Sequence, residues 1–258
     1  MLVETLSVFP AVFDAYLSAS IMGRCQERGI LEFRAHDLRD WTHDRHRTVD
    51  DAPFGGGQGM LMKPAPIFEA LRSIKAADAR SAHVAFFTPC GTPFTQRVAE
   101  RLSHKERLVF VCGRYEGMDE RVYELADECL SLGDYVLTGG ELAAMVVTDA
   151  VVRLLPGALG DEMSPVDESF SVAGLLEYAQ YTRPADFEGR LVPEVLLSGD
   201  HAAVGAWRRR SAIERTARLR PDLLAGACLS PDERAWAESL RERPDASSAE
   251  GVMGAEEV

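Results

Sequence analysis

Leu108-Val109-Phe110-Val111-Cys112-Gly113-Arg114-Tyr115-Glu116-Gly117 opens the stretch on which the reading of this chain turns, and Ser131-Leu132-Gly133-Asp134-Tyr135-Val136-Leu137-Thr138-Gly139-Gly140-Glu141 closes it. The first five residues are apolar and partly β-branched, and glycine ends the run, which is the pattern of a buried parallel strand. Glycine after a strand lets the backbone turn sharply or approach a ligand closely. Open α/β sheets bind ligands at the carboxyl ends of their strands. A glycine pair after a strand is by itself commonly just a turn. Here each loop also carries an acid (Glu116, Asp134) and an aromatic (Tyr115, Tyr135), so these loops are the first candidate site.

Outward from this stretch, strands alternate with helices. Strands are predicted over residues 2–9, 31–35, 82–87, 108–112 and 128–132, and helices over 11–28, 66–75, 95–102, 119–125 and 141–154. The first helix places Val12, Tyr16, Ala19 and Met22 on one face, and the last has Leu142, Met145, Val146, Asp149 and Val152 at helical spacing. This alternation predicts an α/β fold, a mostly parallel sheet with helices on both faces. Between strand two and the next helix lies a long polar segment, residues 36–59, closing in Gly55-Gly56-Gly57-Gln58-Gly59. A loop of that length in a compact domain is functional or disordered, and its histidines and aromatics argue against disorder. The domain pattern stops at Leu155-Pro156-Gly157, giving a first domain of residues 1–157. Residues 158–184 read as an irregular linker, 185–241 as a small all-helical domain, and the acidic stretch 242–258 as a disordered tail.

Composition bounds the possibilities. The chain has 258 residues, is 46% hydrophobic and 27% charged, and is therefore ordinary and globular. Asp149 and Arg153 interrupt the longest apolar candidate for a membrane span. Met1-Leu2-Val3-Glu4 lacks the basic start of a signal peptide, and the five cysteines form no Cys-x-x-Cys pair. A reducing, cytoplasmic location is the expectation. The net charge of −13 opposes phosphate at long range. Residues 207–220 nonetheless hold six arginines (Arg208, Arg209, Arg210, Arg215, Arg218 and Arg220) against Glu214. Local field outweighs the total within a Debye length of about 8 Å.

Dinucleotide, nucleoside-triphosphate and zinc-protease motifs are absent from the sequence. His36, His43 and His46 share a loop, but histidines among arginines more often contact phosphate or face solvent than bind a metal.

The two motifs of the opening stretch resemble those of the bacterial tRNA (guanine-N1)-methyltransferase family, part of the knotted SPOUT class of S-adenosylmethionine-dependent methyltransferases. The resemblance runs over roughly residues 1–241. It implies a trefoil knot toward the end of the first domain, which periodicity does not show. It also implies that S-adenosylmethionine is held bent by three loops. These match Thr88, Pro89 and Gly91; Gly113, Tyr115 and Glu116; and Leu132, Gly133, Asp134, Tyr135, Val136 and Leu137 with Gly139 and Gly140. Small residues there let backbone groups meet the adenine edge, and Glu116 sets a carboxylate near the cationic sulfonium. The tRNA anticodon stem-loop is matched to His46, Arg47, Asp50, Gly55, Gly57 and Gly59, with Asp50 facing a neighbouring guanosine. Gln58 stands where the family has proline. Ser198 lies in a further matching segment that leads into the helix of Arg208 and Arg209, a plausible phosphate surface.

The implied reaction needs a base. N1 of guanine is nucleophilic only without its proton, and the resulting charge on O6 calls for a cation. The family's arginine matches Arg153. Its aspartate precedes Ser-Phe, where this chain has Asp167-Glu168-Ser169-Phe170, so Glu168 is the expected base, with adjacent Asp167 as the alternative. The resemblance further implies methylation at tRNA position 37, a homodimer whose site uses both chains, and a reaction responsive to magnesium, for which the sequence shows no cage. Two rivals are a knotted methyltransferase acting on a ribose hydroxyl or another base, and a non-catalytic RNA-binding module.

Overall fold

The apolar runs read from the sequence become a five-stranded sheet in the computed structural model, which describes residues 1–160, 168–171 and 173–241. The chain divides into two units, Met1–Glu162 and Met163–Val258. The first unit runs β1 (Leu2–Ser7), α1 (Asp14–Leu17), α2 (Ser20–Glu27), β2 (Glu32–Asp37), β3 (Asp50–Asp51), β4 (Leu61–Met62), α3 (Pro64–Ala76), β5 (Ala82–Pro93), α4 (Gln96–Ser103), β6 (Arg107–Val111), β7 (Glu128–Ser131) and α5 (Glu141–Val152). Short 3-10 turns at Pro10–Phe13, Leu38–Trp41 and Glu120–Leu125 complete it. The main sheet has the order β2-β1-β6-β5-β7, with every neighbouring pair parallel.

Central strands of a parallel sheet are buried on both faces. In β6, Leu108 and Phe110 pack on one side with Phe13, Leu17, Leu102 and Val147. Val109 and Val111 pack on the other with Ile67, Leu71, Ile74 and Val122. The strand's two-residue side-chain alternation produces this division. Helices thus cover both faces.

Two charges are buried within the sheet. Glu4 of β1 is 1% exposed and Arg107 of β6 is fully buried. Arg107 Nε donates to Glu4 Oε2 at 2.6 Å, and the other guanidinium nitrogens donate to the carbonyls of Ile74, Asp78 and Arg80. His36 Nε2 lies 2.9 Å from Glu4 Oε1. The pair therefore joins two strands to the carboxyl end of α3. Burial pushes the Glu4 carboxyl up, but hydrogen bonds from His36 and Arg107 outweigh it and hold the group below the usual range.

The predicted helix over residues 11–28 is broken instead. Ala19 is extended, Ser20 has φ +49°, and a Cβ on Gly23 would lie 2.3 Å from the Ser18 carbonyl oxygen. Its inward side chains are Phe13, Leu17, Met22 and Cys25, whereas Val12 and Tyr16 are exposed. In α5 the inward residues are Ala143, Ala144, Val147 and Val151, and Leu142 and Val146 face out. A helix apolar on most sides has no period that singles out its core stripe.

The second unit is not wholly helical. It holds a hairpin of β8 (Asp186–Phe187) and β9 (Arg190–Leu191), then α6 (His201–Leu219) and α7 (Pro231–Arg241), with 3-10 turns at Glu194–Leu197 and Pro221–Ala225. Glu188 and Gly189 both have positive φ, as a two-residue hairpin turn of the I′ kind requires. Ile213, Ala217, Leu224, Ala237 and Leu240 form its core with Leu175. The Asp200 carboxylate accepts from the amides of Ala202 and Ala203 and starts α6. The acidic tail and residues 161–167 and 172 of the expected linker lie outside the described residues.

Replacing Glu4 with glutamine leaves Arg107 buried without its counter-charge, so stability near neutral pH should fall by about 3–5 kcal/mol in denaturant titrations. A carboxyl with a lowered folded pKa stabilises above its unfolded range, and that contribution is lost as pH falls through the folded value. Wild-type protein should therefore lose stability in acid more steeply than Glu4→Gln.

Candidate functional site

A cleft of about 240 Å³ opens beyond the carboxyl ends of β5, β6 and β7. The irregular end of β5 and two loops wall it, contributing Thr88 and Pro89, then Gly113 to Met118, then Leu132, Gly133 and Tyr135 to Gly140. Twelve of the fourteen residues matched above to a cofactor therefore converge here: Thr88, Pro89, Gly113, Tyr115, Glu116, Leu132, Gly133, Tyr135, Val136, Leu137, Gly139 and Gly140. Gly91 is not in the lining. A Cβ there would lie 2.6 Å from the Leu130 backbone, so its smallness serves the approach of β5 to β7 at the irregularity between Phe87 and Thr92. Asp134 is exposed and also outside the lining.

The loops are stitched by main-chain contacts. Gly140 N donates to Gly113 O at 2.9 Å, and Arg114 and Gly139 form an isolated β-bridge. A Cβ on Gly140 would stand 2.8 Å from Cys112 Cα, so glycine is what lets the two loops touch. Thr88 bonds the Tyr123 hydroxyl and lies 3.2 Å from Cys90 Sγ.

The long polar segment reaches the rim. Glu116 N donates to Met60 O, Met62 N to Gly117 O and Asp119 N to Met62 O. The Glu116 side chain rests where a Cβ on Gly59 would be, 2.4 Å from its Cγ. Tyr115 holds φ +61° and is hydrogen-bonded to Asp50; burial, then the Asp50 charge, raises its phenol pKa. Such a backbone costs on the order of 1–3 kcal/mol and persists only where its surroundings impose it. Gly55 and Gly57 have positive φ and shape the turn away from the cleft. His46 N bonds the Asp44 carboxylate, and Arg47 bonds Asp40 and the Arg39 carbonyl. His36 and His43 face Glu4 and Glu69, and no group of three or more potential metal ligands occurs among the described residues.

The sequence reading quoted Arg114 and Glu141 in the opening stretch without giving either a role of its own, and it did not single out Ser7. Arg114 lines the cleft; its Nε donates to Glu141 Oε1 and Oε2 at 3.1 and 3.0 Å, and its Nη1 to Thr138 O at 3.4 Å. Ser7 Oγ donates to Glu141 Oε1 at 2.6 Å, and the Arg114 guanidinium lies 4.7 Å from the Phe9 ring centre. Glu141 is 2% exposed. A base inside the first glycine motif and an acid closing the second were the available signal. Ser7 is distant in sequence and carried none.

Arg153 is half-buried at the carboxyl end of α5. In the second unit, Glu168 lines a depression with Tyr178, Arg208 and Arg209, and Asp167 falls outside the described residues. Arg208 stacks over Tyr178 with its guanidinium 4.8 Å from the ring centre. Arg209 is engaged internally, with Glu233 at 2.8 Å and the Cys228 carbonyl at 2.7 Å, and this pairing lowers Glu233 to about 2. Arg210 lies over Trp236, and Arg220 pairs with Asp222. Ser198 is exposed just before α6, its hydroxyl bonded to the Val195 carbonyl.

Fold and cleft together define an α/β protein with a glycine-walled cleft at the ends of parallel strands, the place where such sheets bind ligands. Residues 1–226 match the sequence model of a family described as tRNA (Guanine-1)-methyltransferase TrmD. A tRNA (guanine-N(1)-)-methyltransferase of Syntrophotalea carbinolica is 51% identical over 245 residues, covering 95% of this chain and 98% of the relative. Proteins of the same description from Frankia alni and Geobacillus kaustophilus are 56% and 49% identical, covering 91% and 92% of this chain and 89% and 96% of their own lengths. The chain belongs to the tRNA (guanine-1)-methyltransferase family, a family of enzymes.

Gly140→Ala tests the contact that shapes the cleft. Its methyl group must displace the backbone at Cys112, so stability should drop by about 1–3 kcal/mol, and calorimetry should show weakened binding of adenosine-containing ligands. Gly205→Ala, with open space at its Cβ in α6, should leave that binding unchanged.

Proposed function

We propose that this chain transfers a methyl group from S-adenosylmethionine to N1 of the guanosine at tRNA position 37, beside the anticodon. The observation that carries this reading is the convergence of two glycine-bearing loops and the irregular end of β5 on one cleft, in a chain of this family. The residues present suit the cofactor. The cleft offers close backbone approach at Gly113, Gly139 and Gly140, apolar walls from Leu132 and Leu137, and one carboxylate, Glu116. When bound, S-adenosylmethionine supplies an electrophilic methyl group. Glu168 takes the N1 proton, with Asp167 as its alternative, and Arg153 stabilises the charge that develops on O6. Asp50, held by Tyr115, and the exposed turn of Gly55 and Gly57 face the anticodon stem-loop, with His46, Arg47, Ser198 and Arg208 toward its backbone. Arg209 serves by shaping that surface, since its own guanidinium is committed to Glu233.

The reading extends to a trefoil knot, formed where the segment leading into α5 tucks against the loop after β6, and to a cytoplasmic location. No helix among the described residues is long and apolar enough to cross a membrane. It also extends to a homodimer in which the second chain completes the site. Support comes from an exposed apolar face: Leu142 and Val146 lie outward on α5, while Tyr16 of α1 bonds Asp149 on that same face, and Val12 and Phe9 are exposed nearby in sequence. Magnesium, to which the resembling family responds, is not assigned to any residue.

Two measurements check the reading. Mass spectrometry of tRNA digested after incubation with the cofactor should show 1-methylguanosine at position 37; ribose methylation or no product would overturn it. Glu168→Gln should retain cofactor binding while single-turnover methylation falls by about 10²- to 10⁴-fold, the usual contribution of a positioned base. Critical loss in Asp167→Asn with a neutral Glu168→Gln would move the role to Asp167. For assembly, sedimentation should give twice the 28.3 kDa chain mass, and Val146→Arg should give the single-chain mass.

A further inference from the structure

The cleft has a feature that the cofactor reading leaves unused. Of the residues that line it, two are of charged type, the acid Glu116 and the base Arg114, set two residues apart on one loop. S-adenosylmethionine ends in an amino acid with one ammonium and one carboxylate. A lone anion and a lone cation in the wall match that charge pair. We propose that Arg114 anchors the carboxylate of the cofactor's amino-acid end, and that Glu141, held by Ser7, is the positioning residue that aims it. The inference rests on the cofactor reading of the cleft.

The geometry separates the guanidinium's two sides. Both Glu141 oxygens accept from Nε, and the Thr138 carbonyl accepts from Nη1. Nη2 has no hydrogen-bond partner among the described residues, and the side chain keeps 24% of its surface exposed in the cleft wall. A guanidinium fixed along one edge and open along the other is suited to a carboxylate, which it can meet with parallel donors. The fixing is unusually complete. Glu141 is buried, Ser7 Oγ donates to it at 2.6 Å, the Phe9 ring lies 4.7 Å from the guanidinium carbon, and a Cβ on Gly139 would stand 2.3 Å from Arg114 Nε. Gly139 therefore also serves to make room for the arginine. A clamp between the loop and α5 would need only the Nε contact. It does not account for the exposed edge in the cleft.

Two ligands isolate the carboxylate. S-adenosylhomocysteine carries the amino-acid end, and 5′-methylthioadenosine lacks it. Calorimetry on the full chain should show wild type preferring S-adenosylhomocysteine. Arg114→Gln should lose about 10- to 100-fold of its affinity, the scale of a hydrogen bond to a charged group, with little change for 5′-methylthioadenosine. Glu141→Gln and Ser7→Ala should narrow the same ratio, Ser7→Ala by less, while Arg114→Lys should restore part of it. An equal fall for both ligands would reduce Arg114 to a loop clamp and overturn the proposal. So would an unchanged ratio, or a loss confined to tRNA affinity, which would assign the guanidinium to an RNA phosphate. If wild type binds neither ligand, the cofactor reading itself fails; if it binds both equally, only the carboxylate anchor does.

Discussion

The backbone at Gly140 touches the backbone at Cys112 and Gly113, and the site depends on that contact. A hydrogen bond of 2.9 Å joins Gly140 N to Gly113 O, at a separation that any side chain at 140 would prevent. The contact draws the segment after β7 over the end of β6. It brings Gly139 beside Arg114 and starts α5 at Glu141, within reach of Ser7 on β1. Without it the two loops are separate turns and no cleft lies between them.

Buried ion pairs bracket the same strands. Glu4 with Arg107 lies toward the amino end of the β1–β6 pair, and Glu141 with Arg114 beyond its carboxyl end. Each is expensive to bury and tolerable only with its remaining donors and acceptors satisfied. At the amino end all three guanidinium nitrogens of Arg107 find protein acceptors, which makes that pair a structural pin. At the other end Arg114 keeps an open edge in a cleft. The difference in satisfaction separates a charge that supports the fold from one available to a ligand.

Several local choices were hidden from sequence reasoning for identifiable reasons. Val12, Tyr16, Leu142 and Val146 look like core because apolar residues occur on most sides of their helices, and only the placement of neighbours shows that Phe13, Leu17, Val147 and Val151 face in. The hairpin after Phe187 rests on a single Glu-Gly pair, with strands of two residues each and no alternation to count. Gly91 reads as part of a ligand loop, yet its missing side chain accommodates β7. Six arginines in one segment read as a uniform basic surface, whereas Arg209 and Arg220 are committed to Glu233 and Asp222.

The sequence by itself determined the α/β class and the two glycine-bearing loops that wall the cleft. Buried parallel strands need unbroken apolar runs, and glycine after a strand is a local signal. Tertiary structure decided which of those residues share a wall. Ser7 and Glu141 are 134 positions apart, and Glu116 reaches Gly59 across more than fifty residues. Such meetings follow from strand order and crossover, which no local period encodes, so the positions of Arg114, Glu141 and Ser7 could emerge only once β1 lay beside β6.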